Sequence, residues 1–139
     1  AINCRERDFL EEILSATDGH GADVILDVVG GPYLDRNVRA LATGGRLVVI
    51  GLQGGAKGEL NLARLSAKRA SVHATTLRAR PTAEKATVVA GVVEHVWPLV
   101  EAGKVRPVIH RRFPLAEAAE AHRVMEEGRH IGKILLAVR

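Results

Sequence analysis

Three short stretches hold the residues best suited to chemistry: Val29-Gly30-Gly31, Gly51-Leu52-Gln53-Gly54-Gly55 and Thr76-Leu77-Arg78. Glycine has no Cβ, so its backbone N–H can come close to a bound group. Such loops offer binding and orientation rather than bond breaking. Counted from Gly51, Gln53 and Ala56 fall where a G-x-G-x-x-G fingerprint requires glycine, and no P-loop is present. As bare signals, two Gly-rich stretches after strands are more often turns than binding loops. Asp27, just ahead of the first, can bond a ribose hydroxyl or cap the following helix. Arg78 and Arg80 can meet phosphate or an acidic substrate, or stay solvated.

Other chemistries find little support. The six histidines, His20, His73, His95, His110, His122 and His130, form no H-E-x-x-H, and Cys4 has no second cysteine with which to share a metal or a disulfide. His122 is expected to pack on the inner face of a helix. No G-x-S-x-G offers a nucleophile elbow. Trp97, on a Val-rich helix, is expected to serve core or interface packing. Lys and Arg number 20 against 16 Asp and Glu, and the net charge of +4 is spread among acids, so no nucleic-acid partner is expected. No apolar run approaches the ~20 residues of a membrane helix, and the start is no signal peptide, so no membrane partner and a cytoplasmic setting are expected. With 47% hydrophobic residues in 139, one globular domain is expected.

The elements that must position these loops alternate along the chain. Asp8 to Gly19 reads as an amphipathic helix with Phe9, Ile13 and Ala16 on one face, Asp8 and Glu11 as a capping box, and Gly19 as the stop. Asp23-Val-Ile-Leu-Asp-Val-Val29 is a buried strand closed by Gly30-Gly31-Pro32. Pro32 suits the first turn of a helix carrying Leu34, Val38 and Leu41 and ended by Gly44-Gly45. Arg46 to Gly51 is a second continuous apolar strand, as in a parallel sheet. A short helix over 62–68 leads into a third strand, Ser71-Val-His-Ala-Thr-Thr-Leu77.

The longest helix, over 82–101, carries Val89, Val92, Val93, Val96 and Val100 and is expected to kink or break at Pro98, which lacks a backbone donor. Gly103 stops it. Strand Pro107 to Phe113, a helix with Leu115, Ala118, Ala119, His122 and Met125 on one face, and strand Gly132 to Val138 complete the chain. Strands separated by helices argue for an α/β fold with a parallel sheet, whose ligands bind beyond the carboxyl ends of the strands. All three candidate loops lie on that edge.

In combination, Gly21-Ala-Asp-Val-Ile-Leu-Asp-Val-Val-Gly-Gly31 and Gly44-Gly-Arg-Leu-Val-Val-Ile-Gly-Leu-Gln-Gly-Gly55 resemble the cofactor domain of medium-chain dehydrogenases/reductases. The quinone oxidoreductases are the most similar branch, to which Ala1-Ile-Asn-Cys-Arg-Glu6, His73-Ala-Thr-Thr-Leu-Arg-Ala-Arg80 and His130-Ile-Gly-Lys-Ile-Leu-Leu136 also correspond. The likeness covers essentially all 139 residues. It implies one truncated cofactor domain over 1–139, the second half of a doubly wound Rossmann-like parallel sheet plus a C-terminal strand–helix–strand. The N-terminal catalytic domain, first strand, phosphate loop and second strand would lie upstream.

The function implied is zinc-independent hydride transfer from NADPH to a quinone or related enone, in which the protein positions the cofactor's reactive atom. By position, Val29 and Gly30 would line the cofactor, Gly51 and Leu52 would approach the nicotinamide, and Thr76, Leu77 and Arg78 would hold the carboxamide. Gly132 and Lys133 would return to the cofactor. Cys4 stands where the branch commonly has Tyr beside the adenosine phosphate, which puts preference for the 2′-phosphate in question. No catalytic residue is implied within the chain. The family's subunit pairing implies a homodimer through the strand Ser71 to Leu77, while the missing strands would leave a second open edge. Two competing readings are a fragment of a zinc-containing alcohol dehydrogenase and a non-catalytic α/β interaction module.

Overall fold

The computed structural model describes residues 1–4 and 6–138, in two compact units, Ala1–Arg80 and Pro81–Arg139. In the first unit, helix α1 (Phe9–Ala16) precedes strand β1 (Ala22–Asp27), a 3-10 turn (Gly31–Tyr33), helix α2 (Leu34–Ala40), strand β2 (Leu41–Val49), helix α3 (Leu62–Ala67) and strand β3 (Ser71–Ala74). The three strands form one parallel sheet in the order β1-β2-β3. The expected α/β class with parallel strands is therefore observed. At the start of the chain, Glu6 and Arg7 both donate backbone N–H groups to the Asn3 carbonyl at 3.0 Å.

Local signals explain most boundaries. The Asp8 carboxylate accepts from Leu10 N at 2.8 Å and starts α1. Gly19, at φ +81°, donates back to the Leu14 carbonyl at 2.8 Å and closes it. Asn61 caps α3 by accepting from Arg64 N at 2.9 Å.

The junction between α2 and β2 departs from expectation. Leu41 is not helical but the first extended residue, fully buried beside Val38 and Leu47. Ala22 lies opposite Leu41 whereas Val24 lies opposite Arg46, so 42–45 bulge out of the ladder. Gly44 takes φ +78° in that bulge and donates to the Lys68 carbonyl at 2.7 Å. Lys68 Nζ in turn donates to the carbonyls of Arg39, at 2.9 Å, and Leu41. Burial beside Arg64 holds the Lys68 ammonium below its ordinary pKa. The glycine pair thus serves a bulge pinned by α3, not a helix stop.

The second unit comprises α4 (Thr82–His95), α5 (Trp97–Glu101), β4 (Ile109–Pro114), a 3-10 turn (Leu115–Glu117), α6 (Ala118–Glu126) and β5 (Lys133–Ala137). Strands β4 and β5 pair in parallel, giving the expected strand–helix–strand. The break before Pro98 is observed at Val96, between α4 and α5, and Gly103 at φ +68° ends α5. One expectation fails here. Helix α6 buries Ala121 rather than His122 and leaves His122 and Met125 exposed, as the preceding turn leaves Leu115, because 118, 121 and 124 form a neighbouring face along which the small Ala121 packs closest. The apolar face of α4 and α5, with Val89, Val92, Val93, Val96, Trp97 and Val100, is exposed.

Candidate functional site

The carboxyl edge of the three-stranded sheet is built from backbone. Asp27, only 5% exposed, ends β1, and its two carboxylate oxygens accept from Val29 N at 2.8 Å and Gly30 N at 2.9 Å. A carboxylate buried this far needs partners, and these two donors supply them. The carboxylate thus closes the strand-end loop at Val29 and Gly30 and does not cap the following helix, whose N-cap has no side-chain hydrogen bond.

Val29 and Gly30 then run beside the second loop. Gln53 N donates to Val28 O at 3.0 Å, Gly54 N to Val29 O at 2.8 Å and Gly31 N to Gly55 O at 2.9 Å, while Gly30 bridges Gly55 in parallel. The β1–β2 ladder thus continues past the strand ends. A Cβ on Gly30, which has φ +87°, would meet the Gly55 carbonyl at 2.7 Å, and one on Gly51 would lie 3.0 Å from the Val28 carbonyl. A Cβ on Gly31 would collide with the Lys57 carbonyl. The glycines therefore admit each other's backbone, a demand that spacing alone could not distinguish from approach to a ligand.

The third loop joins the same edge. Thr75 N donates to Val49 O at 3.0 Å, Arg80 Nη2 donates to Thr75 Oγ1 at 3.0 Å, and Thr76, Leu77 and Arg78 are exposed beyond β3. Val29, Gly30, Gly51, Leu52, Thr76, Leu77 and Arg78 are thus brought to one sheet edge. Gly132 and Lys133 belong to the second unit, at the start of β5, where Lys133 N donates to Val108 O at 2.8 Å.

Cys4 lies exposed beside Tyr33, whose hydroxyl it engages, and this contact pushes Tyr33 ionisation above its ordinary range. Tyr33 stacks on Phe9 at 5.3 Å, and the Arg36 guanidinium sits 4.4 Å from the Phe9 centroid while bonding Asp8 at 2.8 Å. Beneath β1, a cavity of about 230 Å³ is lined by Phe9, Ile13, Asp27, Tyr33 and Asn37, among others. Asn37 is 3% exposed, and its Nδ2 has no hydrogen-bond acceptor among the described residues. Sequence reading passed over Asn37, although a signal was there: it is a polar residue within the stripe Leu34, Val38 and Leu41.

The family model described as zinc-binding dehydrogenase matches residues 1–136. The chain belongs to that family. The expected likeness to medium-chain dehydrogenases/reductases is thereby borne out. A phenolphthiocerol/phthiocerol polyketide synthase polypeptide of Mycobacterium tuberculosis is 36% identical over 135 residues, 96% of this chain and 6% of that protein. Quinone oxidoreductase of Rattus norvegicus is 30% identical over 136 residues, 97% of this chain and 40% of that protein. Among solved structures, an NAD-dependent alcohol dehydrogenase superposes with a TM-score of 0.78 at 32% identity, over 99% of this chain and 37% of its own. The CurK enoyl reductase does so with a TM-score of 0.69 at 28% identity, over 94% and 39%. The chain spans two-fifths or less of these relatives.

Zinc, which the family description implies, finds no fit. No three His, Cys, Asp or Glu side chains converge among the described residues, whereas a zinc site takes three or four such ligands. Among the described residues, no helix is long and apolar enough to cross a membrane.

Proposed function

We propose that this chain is the cofactor-binding portion of an NADPH-dependent oxidoreductase that reduces a quinone or related enone. The observation that carries the reading is the convergence of three strand-end loops on the carboxyl edge of a parallel sheet, where α/β sheets take their ligands. The interlocked backbone of 28–31 and 51–55 is rigid, which suits a surface that must orient a cofactor. Val29, Gly30, Gly51 and Leu52 would lie along NADPH, with Thr76, Leu77 and Arg78 at the carboxamide, Cys4 toward the adenosine phosphate, and Gly132 and Lys133 on the returning segment. NADPH supplies the hydride. These residues supply position.

Likeness to a polyketide synthase polypeptide and to the CurK enoyl reductase supports a second reading, reduction of an enoyl thioester. The chain would work as a homodimer paired through β3, which lies at the sheet edge. Calorimetric titration of NADPH, with NADH beside it, onto the 139-residue chain tests the cofactor assignment. Saturable binding supports it, and a folded chain that binds neither nucleotide counts against it. Quinones and enoyl thioesters offered to a longer polypeptide carrying these residues separate the two acceptors.

A further inference from the structure

Arg36 on α2 is built into an aromatic shelf next to Cys4. The rings of Phe9 and Tyr33 stack with centroids 5.3 Å apart, and the Arg36 guanidinium carbon lies 4.4 Å from the Phe9 centroid and 5.5 Å from that of Tyr33. Tyr33 meets the Cys4 thiol through its hydroxyl, so thiol, phenol and guanidinium form one cluster. Rings beneath a guanidinium hold its plane while the N–H groups around its rim stay available as donors. Among the described residues, Arg36 donates only through Nη2 to Asp8 Oδ1, at 2.8 Å. The same oxygen caps α1 by accepting from Leu10 N at 2.8 Å, which fixes the carboxylate from the helix side. The Arg36 side chain is 35% exposed, so its remaining donors are open to solvent.

A guanidinium held in place, with donors to offer and a phenol beside it, suits an anion that carries several oxygens. A phosphate monoester is such an anion. We infer that Arg36 pairs with the 2′-phosphate of NADPH, with the Tyr33 hydroxyl donating beside it, and that this contact sets preference for NADPH over NADH. The inference rests on the reading above, in which Cys4 lies toward the adenosine phosphate. There Cys4 removes one tyrosine surface, and the turn and helix after β1 supply a different phenol and a cation. Asp8 opposes the phosphate, because its carboxylate shares the cation and repels a second anion. It moderates the preference and orients Arg36 before the nucleotide arrives. If Arg36 served only to tie α1 to α2, removing either member of the ion pair would act in the same direction. A phosphate contact makes the two removals act in opposite directions.

Calorimetry on the 139-residue chain, with adenosine 2′,5′-bisphosphate beside adenosine 5′-monophosphate, separates this contact from the nicotinamide. We expect the bisphosphate to bind about five- to tenfold tighter, as a half-exposed charge-assisted contact allows. Arg36→Met keeps an apolar stem over Phe9 and should erase that ratio. Tyr33→Phe keeps the ring stack and should cut it about twofold, whereas Asp8→Asn should raise it about twofold. Tyr33→Phe and Asp8→Asn decide the matter if Arg36→Met fails to fold. Equal binding of the two nucleotides by the unaltered chain, or binding of neither, overturns the inference. So does a ratio that survives Arg36→Met, or one that does not rise in Asp8→Asn. Titration of NADPH and NADH is a separate readout. NADPH binding without discrimination between the adenosine nucleotides keeps the cofactor reading and overturns the inference, while Arg36-dependent bisphosphate binding by a chain that takes up neither NADPH nor NADH rejects the cofactor reading and leaves Arg36 a phosphate ligand.

Discussion

Asp27 carries more of the candidate site than any other side chain, because two backbone donors converge on its carboxylate. Asp27→Ala leaves both N–H groups without their acceptor, at about 1–3 kcal/mol each where water cannot replace it. We expect a clear drop in Tm and faster exchange of the Val29 and Gly30 amides, with Asp27→Asn intermediate because one carbonyl oxygen remains. An unchanged exchange pattern in Asp27→Ala would show that the glycine ladder alone holds the loop. Asp8 gives the pH dependence. The Arg36 guanidinium first, and the Leu10 N–H second, hold its carboxyl below the ordinary value of 3.8. The folded chain therefore favours the ionised form. Its stabilisation is fully present above pH 3.8 and is lost as pH falls through the lowered folded value. Asp8→Asn should remove this part of the acid-side loss, measured as the difference in Tm between neutral and acid buffer, while cutting the neutral-pH Tm slightly.

At the scale of elements, Pro98 divides α4 from α5 because it cannot donate toward the preceding turn. Pro98→Ala restores a donor, and we expect greater helicity by circular dichroism with little change in the rest of the second unit. No gain would place the cause of the break in Val96 rather than in proline. This break was legible in the sequence, as were the Asp8 cap and the parallel α/β order, since each follows from a local rule about one residue type or one period. The bulge at 42–45 was not, because it depends on Lys68 reaching carbonyls 29 and 27 positions away. The face of α6 was half legible: periodicity allowed two neighbouring stripes, and contact with β4 and β5 chose the one with Ala121. The loops after β1 and β2 were found by their glycines, but what those glycines admit, one another's backbone, is a long-range fact.

For the molecule as a whole, the decisive quantity is how much of a hydride-transfer site these residues can hold. Transfer needs donor and acceptor carbons held about 3–3.5 Å apart in aligned geometry, with water kept out. One sheet edge made largely of backbone can orient one reactant. Leu52, Leu77 and the neighbouring strand-end side chains are exposed, so this edge alone presents an open surface and not a closed pocket to the second. We therefore expect the 139-residue chain, even saturated with NADPH, to show no quinone-dependent loss of nicotinamide absorbance above the uncatalysed rate. A longer polypeptide carrying the same residues should turn over. In that longer protein, Gly31→Ala should lower kcat/KM, because its new Cβ collides with the Lys57 carbonyl and forces the two interlocked loops apart. Turnover by the isolated chain would mean that one sheet edge assembles both reactants, and the division of labour proposed for this enzyme would have to be abandoned.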